Sequence, residues 1–234
     1  MSKRAGVDLG VRRVTDAELA ELLQDCPTLY HMAERGSWPS IRQHGLLSTS
    51  ALLDLYGKHG AERAAVEGQR RPGPVAMEHR AFGRAVIRDQ RPMDDAGLTR
   101  CLTDGLRPED WYRMLNGKVF FWLTRARLLR LLNAAPYRNA EHDVLELEAA
   151  PLVAAYRDAM TLSPINSGTT MRFPAARGLA TFLSIGEYPY AHWRTKRSRG
   201  ERVVELAVAG GVPDVARFVR RVVRMRGSEV TGPT

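Results

Sequence analysis

The chain has 234 residues, 44% hydrophobic and 26% charged, and its 35 Lys and Arg against 26 Asp and Glu give a formal charge of +9. This is the balance of an ordinary folded domain, which argues against wholesale disorder, and no apolar run reaches the roughly 18 residues of a transmembrane helix. The opening "MSKRAGVDLGVRRVTDAELAELL" lacks the apolar block of a signal peptide, so a cytoplasmic protein is expected.

In chain order, "TDAELAELLQ" (15–24) sets Thr and Asp before apolar residues spaced by three and four, which predicts a capped amphipathic helix. "TLYHM" after Pro27 predicts a short strand with His31 near its end. "SWPSIRQHGLLS" predicts a helix capped by Ser37, with Pro39 in its first turn and Gly45 as its stop. "TSALLDLYGKHGAERAAVEG" continues helically until "QRRPGPVAM" breaks it. Residues 69–116, with "EHRAFGRAVIRDQ", "LTRCLTDG" and "RPEDWYRMLNG", read as helical pieces separated by Pro and Gly, an insertion within one domain spanning 1–234. "KVFFWLT" (118–124) predicts a buried strand, "TRARLLRLLNA" a short helix with Arg outward, "HDVLELE" (142–148) an alternating strand, and "PLVAAYRDAM" part helix and part strand. The Pro-, Gly-, Ser- and Thr-rich stretch from 161 to 200 reads as a long irregular loop. "ERVVELAVAGGVPDVARFVRRVVRMR" supplies two strands parted by a Gly-Gly-Val-Pro turn. Helices early and strands late make the class α+β.

The positive charge concentrates in "HWRTKRSRGER" (192–202) and "RFVRRVVRMR" (217–226), which suits a phosphate-bearing partner or simply an arginine-rich solvated surface. Arg194, Lys196, Arg197, Arg199 and Arg202 interleave with Tyr188, Tyr190 and Trp193, whose rings can stack on unpaired bases for roughly 1–3 kcal/mol each. "SPINSGTT" (163–170) offers Ser163, Asn166, Ser167 and Thr169 either as donors on a flexible turn or as an ordinary Asx or Ser turn. In "RVVELAVA", alternation groups Glu205 with Val203 and Ala207, opposite Val204, Leu206 and Val208, and the pattern alone favours a solvent-facing acid over one in a cleft. Phe120 and Trp122 oppose Phe121, aromatic faces that belong to a core or hold a flat ring. His31 by itself reads as a satisfied strand-end residue. Cys26 and Cys101 show neither a metal spacing nor a redox pair and read as packing residues. His31, His44, His59, His79, His142 and His192 are too scattered for a ligand set, so no metal is expected.

Taken in order, these pieces resemble the ADP-ribosyltransferase fold, most closely the DarT-type nucleic-acid ADP-ribosyltransferases and more distantly the tRNA 2′-phosphotransferases. "YHMAERGSWPSIRQHGLLS" is similar to the opening of that branch, where a histidine ends the first strand and a helix leads to Gly-Leu. "VVELAVAGGVPDVARFV" is similar to its last catalytic strand and the Val-Pro turn after it. The resemblance covers residues 28–50, 118–133 and 184–224. It implies a split β-sandwich with N-terminal helices and the helical insertion at 69–116. It also implies NAD as co-substrate, with His31 on a ribose hydroxyl, Met32, Ser48 and Thr49 in the same pocket, Phe121 or Trp122 beside the nicotinamide, and Arg42 or Arg127 on the diphosphate. Glu205 matches the catalytic glutamate and 186–202 the substrate-recognition loop. Asn166, Ser167, Tyr188, Tyr190, Trp193, Arg194, Lys196, Arg197 and Arg199 then fall on the acceptor side. Residues 51–117 have no counterpart in those enzymes. The implied activity is transfer of ADP-ribose to a DNA or RNA base by a monomeric toxin or defence effector, whose partners are nucleic acid and an antitoxin. Rival readings are a tRNA 2′-phosphotransferase-like enzyme, a protein-directed ADP-ribosyltransferase and a non-catalytic nucleic-acid-binding module.

Overall fold

Thr15 caps the first helix, α1 (Asp16–Asp25): its hydroxyl accepts from Glu18 N at 3.2 Å and the Glu18 carboxylate accepts from Thr15 N at 3.0 Å, a reciprocal capping box. The computed structural model describes residues 14–171 and 173–233, so the part of the opening stretch that precedes residue 14 lies outside the described residues. Strand β1 (Thr28–Glu34) runs past His31, and α2 (Trp38–His44) ends at Gly45 as the sequence predicts. Then follow β2 (Leu46–Leu47), α3 (Thr49–Leu55) and α4 (Gly60–Glu67). The last two are separate helices rather than one continuation, because Gly57 and Gly60 take positive φ of 63° and 56° and turn the chain between them.

Residues 69–116 are not all helical. "VAMEH" and "GRAVI" form a hairpin, β3 (Val75–His79) and β4 (Gly83–Ile87), in register from Val75↔Ile87 to His79↔Gly83. Gly83, with φ of 69°, makes the tight turn, and alternation buries Met77 and Ile87 against Leu53 and Tyr56 of the α3 region. Helices α5 (Asp95–Cys101) and α6 (Pro108–Asn116) complete the segment around buried Trp111 and Tyr112.

The remainder runs β5 (Lys118–Trp122), α7 (Arg125–Leu132), β6 (Glu141–Glu148), α8 (Ala149–Tyr156), β7 (Met160–Ser163), β8 (Leu183–Ser184), α9 (Tyr190–Lys196), β9 (Glu205–Ala209), β10 (Gly211–Val212), β11 (Val219–Arg226) and β12 (Glu229–Pro233). The stretch read as irregular from 161 to 200 therefore carries the end of β7, the short strand β8 and a helix, and the stretch 201–226 holds three strands rather than two, with β12 after it. The fold is mixed α+β, built on an eight-stranded antiparallel sheet ordered β12-β11-β6-β1-β5-β9-β7-β8. Helices α1 and α8 cover one part of its core, where Leu145, Leu147 and Leu152 are fully buried, each worth roughly 1.5–3 kcal/mol. Helix α7 covers another through Leu128 and Leu132, against Val144 and Met225. Cys26 and Cys101 are buried free thiols. Among the described residues no helix is long and apolar enough to cross a membrane.

Two features of the sheet position the site. First, β1 pairs with β6 over seven residues and β5 with β9 over five, whereas β1 and β5 share only Tyr30↔Trp122, so the sheet is nearly parted between them. Second, "HGLLS" and "AGGVP" lock together. A Cβ on Gly45 would lie 2.6 Å from Pro213 Cα, one on Gly211 would lie 2.5 Å from Leu46 O, and Ser48 N donates to Gly210 O at 3.0 Å. Both glycines have positive φ, so larger side chains there face strain and collision together.

Candidate active site

Glu205 opens β9 in register with Trp122 of β5 on one side and Ser163 of β7 on the other. Its outward alternation does not reach water, because the turn following β7 folds over it and leaves the residue only 3% exposed. From that turn Ser167 N donates to both carboxylate oxygens at 3.1 Å. The turn is held from behind by Arg177, itself buried, whose guanidinium donates to Ser167 O at 2.9 Å and to Ala175 O at 3.1 Å. Thr170 N donates to Pro92 O at 3.0 Å, and its hydroxyl donates to Asp94 at 3.0 Å, tying the same turn to the start of α5. Burial raises the Glu205 carboxyl to about 7, against the Ser167 hydrogen bonds and the Arg177 charge, which pull it down. Near neutral pH this carboxyl therefore exchanges a proton readily.

His31 sits where the sheet parts. Its Nδ1 donates to Phe120 O at 2.9 Å, filling the place of a missing ladder bond between β1 and β5. Burial pushes the imidazole down to about 4 against that hydrogen bond, and the Arg88 charge lowers it further. The ring is neutral at pH 7, with Nδ1 protonated and Nε2 left as an acceptor suited to a hydroxyl donor.

His31, Trp122 and Glu205 line one hollow of about 370 Å³, a size usual for small-molecule sites. Trp122 and Lys118, which both line it, stand four residue steps apart on β5, roughly 13 Å. Met32, Ser48, Thr49, Asn166 and Ser167 also line it, so this part of the sequence-predicted set comes together. Part of the lining comes from residues that the sequence pattern left without a role: Arg71, and β4 from Arg84 with its continuation through Gln90. The signal available for them was the alternation of "VAMEH" and "GRAVI" about Phe82-Gly83, which an Ala- and Arg-rich composition disguises as helix.

Other expectations are corrected. Phe121 is 1% exposed and belongs to the core, so of the two aromatic candidates only Trp122 faces the hollow. Arg42 is exposed on α2 away from it, and Arg127 pairs with Glu201 beside a second, shallower hollow. Tyr188 and Tyr190 are core residues, the first donating its hydroxyl to Arg202 O at 2.6 Å, so neither ring is available for stacking on a base. Trp193 packs partly on the core with the Arg197 guanidinium 4.0 Å from its ring centroid. Segment 186–202 is no open basic loop: α9 lies within it, Arg194 and Arg202 pair with Glu21 of α1, and Arg199 pairs with Asp25 at 3.0 Å. Lys196 and Arg197 line the second hollow with Arg127 and Asn166, the last of which also borders the first. Ser163 spends its hydroxyl on Ile165 O at 3.1 Å.

Residues 27–219 match a family of unknown function, DUF7002. No curated protein matches the chain.

Proposed function

The chain belongs to the DUF7002 family, and from that premise we propose that it is an NAD-dependent ADP-ribosyltransferase whose acceptor is a nucleic-acid base. The observation that carries the reading is the meeting of a neutral imidazole and a buried carboxyl raised toward neutrality on one hollow, 174 positions apart in sequence, with an indole in register beside the acid. We read the sheet, parted between β1 and β5, as the split β-sandwich of the ADP-ribosyltransferase fold.

In this reading His31 Nε2 accepts a hydrogen bond from a ribose hydroxyl and Trp122 offers a face to the nicotinamide. When the nicotinamide–ribose bond breaks, its electron pair leaves with the nicotinamide nitrogen and positive charge develops on the ribose. Ionised Glu205, preorganised by Ser167 N, stabilises that charge. A lone pair of the acceptor nitrogen or oxygen then bonds to the ribose carbon, and the acceptor's proton passes to Glu205, whose position near 7 suits a general base. The second hollow, with Lys196 and Arg197 beside the Arg127–Glu201 pair, supports an anionic acceptor next to Asn166. The pairing of Arg194, Arg199 and Arg202 with α1 removes part of the case for a polyanion, and a protein acceptor is the second reading on that observation.

The test is transfer of label from NAD carrying it in the ADP-ribose part to DNA, RNA and protein in turn, by the wild type and by Glu205→Ala. Labelled nucleic acid that the variant does not produce supports the proposal, and labelled protein alone selects the second reading. Nucleic-acid binding with no NAD turnover overturns both in favour of a binding module.

A further inference from the structure

Three arginines face the hollow, and they come from neither expected place. Arg71, Arg84 and Arg88 line it, the last two from β4 and the residue that follows it. We infer that the β3–β4 hairpin is the diphosphate-binding wall of this pocket, with Arg88 as its principal contact, Arg84 as a second and Arg71 as the buried support. The inference rests on the reading of the hollow as a dinucleotide site.

Arg88 is held in place chiefly by uncharged partners. Its guanidinium lies 5.1 Å from the Tyr137 ring centroid, and Nη1 donates to His142 Nδ1 at 3.0 Å, while His142 Nε2 donates to Tyr137 O at 3.3 Å. That pattern fixes His142 as neutral, with its lone pair toward the arginine. The carboxylate of Glu34 approaches only to 3.9 Å. A guanidinium has five N–H donors, so the bond to His142 leaves the others for a ligand, and planar forks of this kind match phosphate oxygens. Glu34 stands three residues along β1 from His31, roughly 10 Å, which sets Arg88 beside the ribose end of the hollow without crowding it.

Arg71 is a 6% exposed cation that meets only carbonyls: Nε donates to Arg88 O at 2.9 Å and Nη1 to Val66 O at 2.6 Å. Burial lowers its proton affinity, and the nearby Asp89 carboxylate, which is hydrogen-bonded to Tyr137, offsets that only in part. A buried positive charge so placed gains from a further anion in the hollow. The wall itself is rigid: Tyr56 donates its hydroxyl to Phe82 O and Gly83 O, Tyr137 donates to Asp89 at 2.8 Å, and Met77 and Ile87 are packed beneath. A fixed anion site remote from the bond that breaks allows binding energy to orient the ribose for reaction.

The experiment is calorimetric titration of the full chain with ADP-ribose and, as the phosphate-free control, adenosine, for the wild type, Arg88→Met and Arg84→Ala. Arg84 is largely exposed, so R84A keeps the test sound if R88M fails to fold. The expected result is that R88M weakens ADP-ribose about 10- to 100-fold and R84A by a few-fold, with adenosine unchanged. Failure of the wild type to bind ADP-ribose, or equal affinity in the wild type and whichever of the two variants is folded, overturns the inference. The two claims separate cleanly. NAD turnover with a KM that neither variant alters sinks the hairpin but leaves the transferase. ADP-ribose binding lost in R88M by a protein that never turns over NAD keeps the hairpin and sinks the transferase.

Discussion

The wall around Glu205 and the segment around α9 both bring charged residues from opposite parts of the chain together, yet they treat them in opposite ways. Arg194, Arg199 and Arg202 are matched to Glu21 and Asp25, acids four residues apart on one face of α1, and the outcome is an ion network, exposed at Arg194 and Arg199 and buried at Arg202, that fastens the α9 segment to α1. Glu205, Arg177 and Arg71 are buried and held by backbone groups rather than by opposite charges. Charges at the surface are screened and cheap, whereas desolvated ones keep their strength and shift their proton affinities. The comparison teaches that the formally more basic segment is largely structural, while the hollow, whose charges come singly from separate elements, holds the reactive groups.

The largest expected effect lies on the buried side. Glu205→Gln keeps the shape and an acceptor for Ser167 N, and is expected to cut label transfer from NAD roughly 1000-fold with the fold intact by circular dichroism. At pH 8 the variant is expected to be the more stable protein, since it no longer buries a charge there. An activity within about threefold of wild type breaks the comparison at its strongest point.

Next comes Arg177→Met, which keeps the packing on Trp111 but removes the donor to Ser167 O and Ala175 O. A buried carbonyl left unpaired costs about 1–3 kcal/mol, read as a lower denaturant midpoint. Turnover is expected to fall about 10- to 100-fold as the Ser167 turn loosens. The pH at half-maximal rate should also move up, because Arg177 lowers the Glu205 carboxyl; a purely structural role leaves that midpoint where it is.

The proton affinities of the two site residues make a subtler test. Glu205 is raised from 4.5 to about 7, so between those values the folded state holds a proton that the unfolded state has lost, and stability falls by about 3 kcal/mol as pH rises. His31 is lowered from 6.5 to about 4, so the unfolded state holds the extra proton, and stability rises by about 3 kcal/mol over that window. The slopes oppose and nearly cancel from about pH 4.5 to 6.5 in the wild type. Urea titrations should therefore show stability climbing with pH in Glu205→Gln and dropping with pH in His31→Asn. Parallel profiles in all three proteins would refute the burial of these groups.

How much of this was readable beforehand follows from the range of the forces. Helix α1 with its Thr15 cap, the "KVFFW" strand, the strand that carries Glu205 and the stop at Gly45 are local and were legible. The burial of Glu205 was not, because the lid over it comes from Ser167, 38 residues away, and is braced by Arg177. Nor was the pairing of Arg194 with Glu21, across 173 residues, although two acids spaced by four on α1 mark a face able to receive a basic helix. The hairpin was hidden by composition, since Ala and Arg favour helix and only tertiary contact with Leu53 and Tyr56 selects the strand.

The last test lies on the α9 side, and it decides what the α9 arginines do. The double variant Glu21→Gln, Asp25→Asn removes both acids that Arg194, Arg199 and Arg202 contact. The pairs of Arg194 and Arg199 are exposed on the arginine side and contribute little, whereas Arg202 is 8% exposed and keeps only the Tyr190 hydroxyl at 3.2 Å once its carboxylates are gone, so the melting temperature should drop mainly by the cost of one buried cation left without its acids. Three guanidinium groups nevertheless lose their carboxylates, and the formal charge rises by two from +9. If the acceptor is a polyanion that lies along α9 and the second hollow, affinity for single-stranded DNA at low salt should increase. Its salt dependence should steepen as well, because each newly engaged cation adds about 0.7 to the slope of log affinity against log salt. An unchanged affinity and slope would mean that these arginines serve only to fasten α9 to α1, leaving Lys196 and Arg197 as the groups that meet an acceptor.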